Sequence, residues 1–149
     1  MDRYDVIRTC NELIEVSLDG ESGFRTCSEN VKDTRLKEYF DAKAARCREG
    51  AAQLQQIVRE MGDEPRRDSS VSGAVHRFWV GIRGALSGMS ERAILNECER
   101  GEDYAETVYR EALRHHLPGD VRRVIERQYT EVRANHDRIR ELRGIAAGA

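Results

Sequence analysis

Three residues that could bind a transition metal lie on or beside the apolar faces of predicted helices. They are Glu21, Glu102 and His136. Carboxylate and imidazole groups are common ligands of iron and manganese. Di-iron four-helix bundles use one Glu from each of two helices and a Glu-x-x-His motif from each of the other two. The first and third long helices of this chain supply the single glutamates.

The second and fourth long helices do not supply the remaining ligands. The apolar face around Lys43 has no carboxylate or imidazole, and the residue three positions before His136 is Arg133. Two interpretations remain: a reduced carboxylate site for iron or manganese, or a polar layer that fixes the register of the helices. The residue types favour the polar layer, which would contain Lys43, Gln128 and Asn135 together with the two glutamates and the histidine.

Four long helices and one short helix are predicted from apolar residues spaced three and four apart. On the first helix this face contains Val6, Cys10, Leu13, Ser17, Gly20, Phe24, Cys27 and Val31. Asp33 and Ser90 are the expected N-caps of the second and third long helices, and Gly62 is the expected stop of the second. The predicted helices span residues 3–30, 34–61, 72–87, 90–117 and 119–143 within a single domain, 1–149.

The connections between these helices predict an all-α, ferritin-like four-helix bundle. Short turns join the first two long helices and the last two, so each pair should form an antiparallel hairpin. The long crossover from Gly62 to Met89, which carries the short helix, separates the hairpins. Glycines within the helices indicate close packing or space for a bulky neighbour such as Phe24 or Tyr129.

Composition excludes several classes of protein. The 149 residues are 35% charged with a net charge of -2, so nucleic-acid binding is not expected. The polar N-terminal segment and the lack of a long apolar run predict a cytoplasmic protein without a membrane span. The four cysteines are far apart and should be reduced. His76, with its aromatic neighbours, is expected in the core or at a partner surface, and His115 and His116 at an exposed helix end.

Several stretches in the same order resemble a bacterial family of uncharacterised four-helix-bundle proteins grouped with the ferritin-like folds. They are DGESGF at 19–24, VKD at 31–33, GAVHRFW at 73–79, ILNECERGEDYA at 94–105, LP at 117–118 and ERQYTEVRANHDRIRELR at 126–143. The resemblance implies a ferritin-like bundle without an assigned catalytic centre.

These features favour a non-enzymatic function that depends on contacts with a protein partner or with a second copy of the chain in a homodimer. The expected role is related to stress. The crossover around Trp79 is the expected contact surface. The alternative is a divergent oxidase or storage-like protein that holds iron or manganese at Glu21, Glu102 and His136.

Overall fold

Five α-helices make up nearly all of the computed structural model, which describes residues 1–67 and 73–148 apart from the side chains of His136 and residues 145–148. The helices are α1 (Arg3–Glu29), α2 (Thr34–Glu60), α3 (Ala74–Arg83), α4 (Glu91–Ala112) and α5 (Gly119–Gly148), with a short 3₁₀ turn at Leu86–Gly88. The described residues contain no strand, and the predicted all-α class is confirmed. None of the described helices is long and apolar enough to cross a membrane.

Side-chain caps define the beginnings of two long helices where the sequence predicts them. An Asp33 carboxylate oxygen accepts a hydrogen bond from the Arg35 amide, and the Ser90 hydroxyl accepts one from the Ala93 amide. These bonds satisfy amide groups that have no partner within the helix. Gly62 follows α2 with φ +84°, a backbone conformation that favours glycine, and it ends the helix as expected.

Two predicted helices are too long. The helix predicted over 90–117 ends at Ala112, because Arg114 and His115 donate to carbonyls only three residues back and form turns. The Arg122 guanidinium stabilises this end of α4, because it donates hydrogen bonds to the carbonyls of Leu113 and His115. The helix predicted over 72–87 spans 74–83 and is followed by the 3₁₀ turn, and residue 72 lies outside the described residues. The last helix extends past the predicted end at 143.

The crossover runs the length of the bundle. At one end, the Arg3 Nε donates to the Met61 carbonyl, so α2 finishes where α1 begins. At the other end, the Glu91 carboxylate accepts from the amides of Lys32 and Asp33, so α4 begins beside the turn between α1 and α2. Therefore α2 and α4 run in one direction, and α1 and α5 run in the other.

The short helix α3 covers the bundle and inserts its tryptophan between α1 and α4. Trp79 is 2% exposed, and a Cβ added at Gly23 or Gly101 would lie 2.2 Å or 2.6 Å from its indole ring. The two glycines therefore form the slot that receives this side chain. The predicted reason for glycine, a bulky neighbour, is right for this pair, but the neighbour is Trp79 instead of Phe24 or Tyr129.

Candidate functional site

A cavity of about 140 Å³ lies in the middle of the bundle. Its walls come from all four long helices and from α3, and they combine apolar side chains with charged and amide groups. The apolar part includes Val16, Phe24, Trp79, Ala105 and Val132. A mixed lining of this kind is typical of sites that bind small molecules, where a few polar groups orient the ligand.

A buried ion pair lies at the wall of this cavity. Lys43 Nζ on α2 is 3.5 Å from Glu102 Oε1 on α4, and the two side chains are only 10% and 4% exposed. Tyr39 donates a hydrogen bond of 3.4 Å to the same Glu102 oxygen, and the ammonium lies 5.4 Å from the centre of the Phe24 ring. Burial of a charge is costly unless a partner compensates it, and here each charge is the partner of the other.

The charge of Glu102 also influences the Tyr39 phenol. Burial first, and then the nearby carboxylate, raise the pKa of Tyr39 above its usual range. The phenol is therefore a neutral hydrogen-bond donor at neutral pH. It holds the Glu102 carboxylate on the side that faces α2.

An amide network closes the other side of the cavity. Gln128 Oε1 accepts a 2.8 Å hydrogen bond from the Tyr109 hydroxyl. The amide nitrogen of Gln128 donates to the Gly50 carbonyl at 3.2 Å and to Gln53 Oε1 at 2.9 Å. One buried side chain thus links α2, α4 and α5. Because the three bonds occupy both ends of the amide, Gln128 serves to position the helices around the cavity.

Among the described residues, the cysteine that lines the cavity is Cys47, and it is a weak nucleophile. Burial raises the pKa of Cys47 to about 11, although the Lys43 ammonium opposes the shift. The thiol therefore stays protonated at neutral pH, and thiolate is the reactive form. A Cβ at Gly20 would lie 2.9 Å from Cys47 Sγ, so this glycine allows α1 and α2 to approach closely.

Exposed charged residues of both signs surround the mouth of the cavity between α2 and α5. Arg46 and Glu131 form a 3.4 Å ion pair across it. Glu49 and Arg127 also line this part of the cavity and are exposed. Positive and negative groups alternate at the rim, so the mouth favours neither anions nor cations.

The residues of the predicted metal site lie in different environments. Glu102 lines the cavity, whereas the Glu21 carboxylate pairs with Arg25 at 3.0 Å and Arg48 at 3.5 Å and is absent from the cavity wall. The side chain of His136 lies outside the described residues. Among the side chains that the structure describes, no group of three or more His, Cys, Asp and Glu residues is suitable for holding a metal ion.

The residues of the predicted polar layer are closer together. Lys43, Gln128 and Asn135 all line the cavity. Lys43 and Gln128 are buried, while Asn135 is partly exposed and its side-chain nitrogen donates to the Glu131 carbonyl at 2.8 Å. The three residues therefore lie around one cavity, although Lys43 is on α2 and the other two are on α5.

The sequence did not predict the pair formed by a partly buried histidine on α3 and a buried aspartate on α1. His76 Nδ1 on α3 lies 2.8 Å from Asp19 Oδ1 on α1, and the Asp19 side chain is 3% exposed. His76 and Trp79 face the bundle and hold α3 against it, while a partner surface on the crossover stays a prediction. The alternative, that the crossover helix covers the core, is confirmed. His115 and His116 are exposed, as expected.

Comparison with known proteins gives a family without an assigned activity. No curated protein matches the sequence. A family model described as a domain of unknown function matches residues 5–115, which include nearly all of α1 and the whole of α2 to α4, and therefore both Lys43 and Glu102. Gln128 and the rest of α5 lie beyond the matched residues. The chain belongs to this family, domain of unknown function DUF2383.

Proposed function

We propose that this protein is a cytoplasmic, bacterial, ferritin-like bundle that does not depend on a metal and acts through non-covalent contacts instead of catalysis. The observation that carries the proposal is the Lys43–Glu102 ion pair at the centre of the bundle. The ammonium provides the positive charge that a buried carboxylate requires, which is the role of the metal ions in di-iron bundles.

The helix directions support the ferritin-like part of the proposal. The two hairpins are joined by a crossover that spans the bundle, so the second and third long helices are parallel. One long crossover between two hairpins is the connectivity of ferritin-like bundles. In that arrangement, α1 and α4 would contribute single carboxylates to a metal site, and α2 and α5 would contribute the Glu-x-x-His motifs.

The ligands available at the centre support metal independence. The α2 position that faces Glu102 is a lysine, and a protonated ammonium has no lone pair to donate to a metal. Glu21, the other single glutamate, pairs with Arg25 and Arg48 away from the cavity. A metal bound next to Lys43 would also be repelled by the ammonium.

The experiment replaces the internal ammonium with a carboxylate. Lys43→Glu would place two carboxylates together at the centre, and their repulsion would destabilise the bundle unless a divalent cation joined them. We expect manganese to raise the melting temperature of Lys43→Glu and to leave the wild type unchanged. The control is Arg59→Glu, the same reversal of charge at an exposed position of α2, which should show no metal dependence.

Metal analysis of the wild type and of Lys43→Met completes this test. The wild type and Lys43→Met, grown in medium with iron and manganese and purified without chelator, should each hold far less than one metal ion per chain. One or two metal ions per wild-type chain, lost in both Glu21→Ala and Glu102→Ala, would contradict the proposal. That result would support the alternative, an iron or manganese oxidase or storage-like protein, which the presence of Glu102 in the cavity favours.

The edge between α3 and α4 is the surface that favours protein contacts. The rings of Phe78 and Tyr104 are 5.2 Å apart there, and Tyr104 and Val80 are 40% and 49% exposed. Exposed apolar groups close together are common at protein interfaces. Light scattering should give a dimer for the wild type and a monomer for Tyr104→Glu, with Tyr4→Glu as the control at an exposed tyrosine elsewhere.

A further inference from the structure

We propose that the central cavity binds a small uncharged ring compound that carries a hydroxyl group, of the phenol class. The hydroxyl would lie at the Lys43–Glu102 pair, and the ring would pack against the apolar wall that includes Phe24 and Trp79. This proposal rests on the metal-independent centre proposed above, because a metal at Glu102 would occupy the same space.

The size of the cavity limits the ligand. Its volume is about 140 Å³, and an apolar cavity of about 150 Å³ accommodates benzene. A molecule with a single six-membered ring therefore fits inside, whereas a nucleotide or a sugar phosphate would have to extend out through the mouth. The walls are partly aromatic, since Phe24 and Trp79 pack edge to face with their centroids 5.3 Å apart. Aromatic walls favour a ring through edge-to-face and stacked contacts.

Charge balance selects an uncharged ligand. Among the described residues that line the cavity, the buried charged side chains are Lys43 and Glu102, and their charges neutralise each other. A carboxylate or an amine bound beside them would leave one unbalanced charge in a region of low dielectric constant, which is unfavourable. At the rim, Arg46 and Glu131 also neutralise each other, so the entrance does not attract ions of one sign.

The pairing of an ammonium with a carboxylate selects a hydroxyl among uncharged groups. An ammonium only donates hydrogen bonds, an ionised carboxylate only accepts them, and a hydroxyl does both. A hydroxyl next to the pair can therefore accept from Lys43 Nζ and donate to Glu102. The ion pair is 3.5 Å long, and both groups line the cavity. The Gln128 amide does not compete, because Tyr109, Gly50 and Gln53 occupy its two ends.

Phenol is the probe, with three molecules that each change one property. Toluene keeps the ring without the hydroxyl, benzoate adds a negative charge and benzylamine adds a positive charge. Binding is measured by calorimetry and by the fluorescence of Trp79, the single tryptophan, which lines the cavity. We expect phenol to bind and to change this fluorescence, with toluene about tenfold weaker or more, because a hydrogen bond to a charged group accounts for that difference. The two charged probes should be weaker than phenol.

Two variants locate the site. Ala105→Leu fills the cavity and should weaken phenol binding about tenfold or more, while Ala52→Leu makes the same change on the exposed side of α2 and should bind as the wild type does. Lys43→Met removes the donor to the hydroxyl and should reduce the preference for phenol over toluene. Circular dichroism identifies a variant that does not fold, and the remaining variant then provides the test.

Three results would overturn the proposal. The first is toluene or benzoate binding as tightly as phenol. The second is unchanged phenol binding in folded Ala105→Leu, which would place the ligand elsewhere. The third is no binding of phenol by the metal-free wild type at millimolar concentration. A wild type that contains metal and loses it with Glu102 would refute the proposed function instead, and metal analysis of the same samples distinguishes the two failures.

Discussion

Adding one methyl group at Gly23 should destabilise the protein, although the same change within a helix normally stabilises it. The Cβ of an alanine at this position would lie 2.2 Å, 2.5 Å and 2.6 Å from three carbon atoms of the Trp79 indole. Favourable carbon contacts are about 3.5–4.0 Å long. Trp79 is rigid and buried against Phe24 and Phe78, so it cannot move away without disturbing its neighbours.

The size of the effect follows from two opposing terms. Overpacking a core with one extra carbon costs about 1–3 kcal/mol, and Gly→Ala in a helix gains about 0.5–1 kcal/mol. Because the 2.2 Å contact is severe, the overpacking cost should dominate, and Gly23→Ala should lower the free energy of unfolding by up to about 2.5 kcal/mol. Gly50→Ala is the matched control, because its Cβ would meet Gln128 at an ordinary 3.5 Å. It should keep the helix gain and stabilise the protein.

Urea unfolding followed by far-ultraviolet circular dichroism measures both changes. In a Trp79→Leu background, where the indole is gone, Gly23→Ala should become stabilising by about 0.5–1 kcal/mol. Fluorescence of Trp79 in the Gly23→Ala protein should also report a more polar environment. If Gly23→Ala stabilised the protein as much as Gly50→Ala in both backgrounds, the slot between α1 and α4 would not exist as described.

Three further predictions concern buried and capping groups. Burial raises the pKa of Cys10 to about 11 from its usual 9.0, so the folded state favours the protonated thiol. The contribution of this thiol to the free energy of unfolding should be full below pH 9 and decrease as the pH rises toward 11. Cys10→Val should reduce that decrease when unfolding is measured as a function of pH. Ser90→Ala removes the cap on Ala93 and should cost about 1 kcal/mol in urea unfolding, and no change would show that the cap is not needed. Asp19→Ala leaves the partly buried His76 without its partner and should increase hydrogen exchange in α3 relative to α5, whereas equal exchange in both helices would contradict the role of this pair.

The helices and the polar layer could be predicted because both depend on position along one helix. Residues three and four apart share a face, so Lys43 and Gln128 are assigned to the interior from spacing alone. The capping residues Asp33 and Ser90 are similarly local, since each bonds to an amide two or three residues away. These features need no knowledge of how the helices rotate relative to one another.

Contacts between helices could not be predicted in the same way. Glu21 lies at the edge of its apolar face, where a small rotation of α1 decides whether it faces the core or Arg48. The Asp19–His76 pair and the slot for Trp79 depend on where the crossover helix crosses the bundle, and no local pattern specifies that. In the sequence, the slot was indicated by two glycines within helices, Gly23 and Gly101. Their lack of a side chain indicated a bulky neighbour without identifying it.

The coupling free energy between Lys43 and Glu102 measures whether these two buried charges compensate each other at the centre of the bundle. A double-mutant cycle with Lys43→Met and Glu102→Met compares the unfolding free energies of the wild type, the two single variants and the double variant. Each single change strands a buried charge and should cost about 3–5 kcal/mol, whereas the double variant should recover most of that loss. The two single costs together are about 6–10 kcal/mol and the double variant should lose less than half of that, so we expect a coupling of more than about 3 kcal/mol. Costs that add within about 0.5 kcal/mol would contradict it, because independent sites behave in that way.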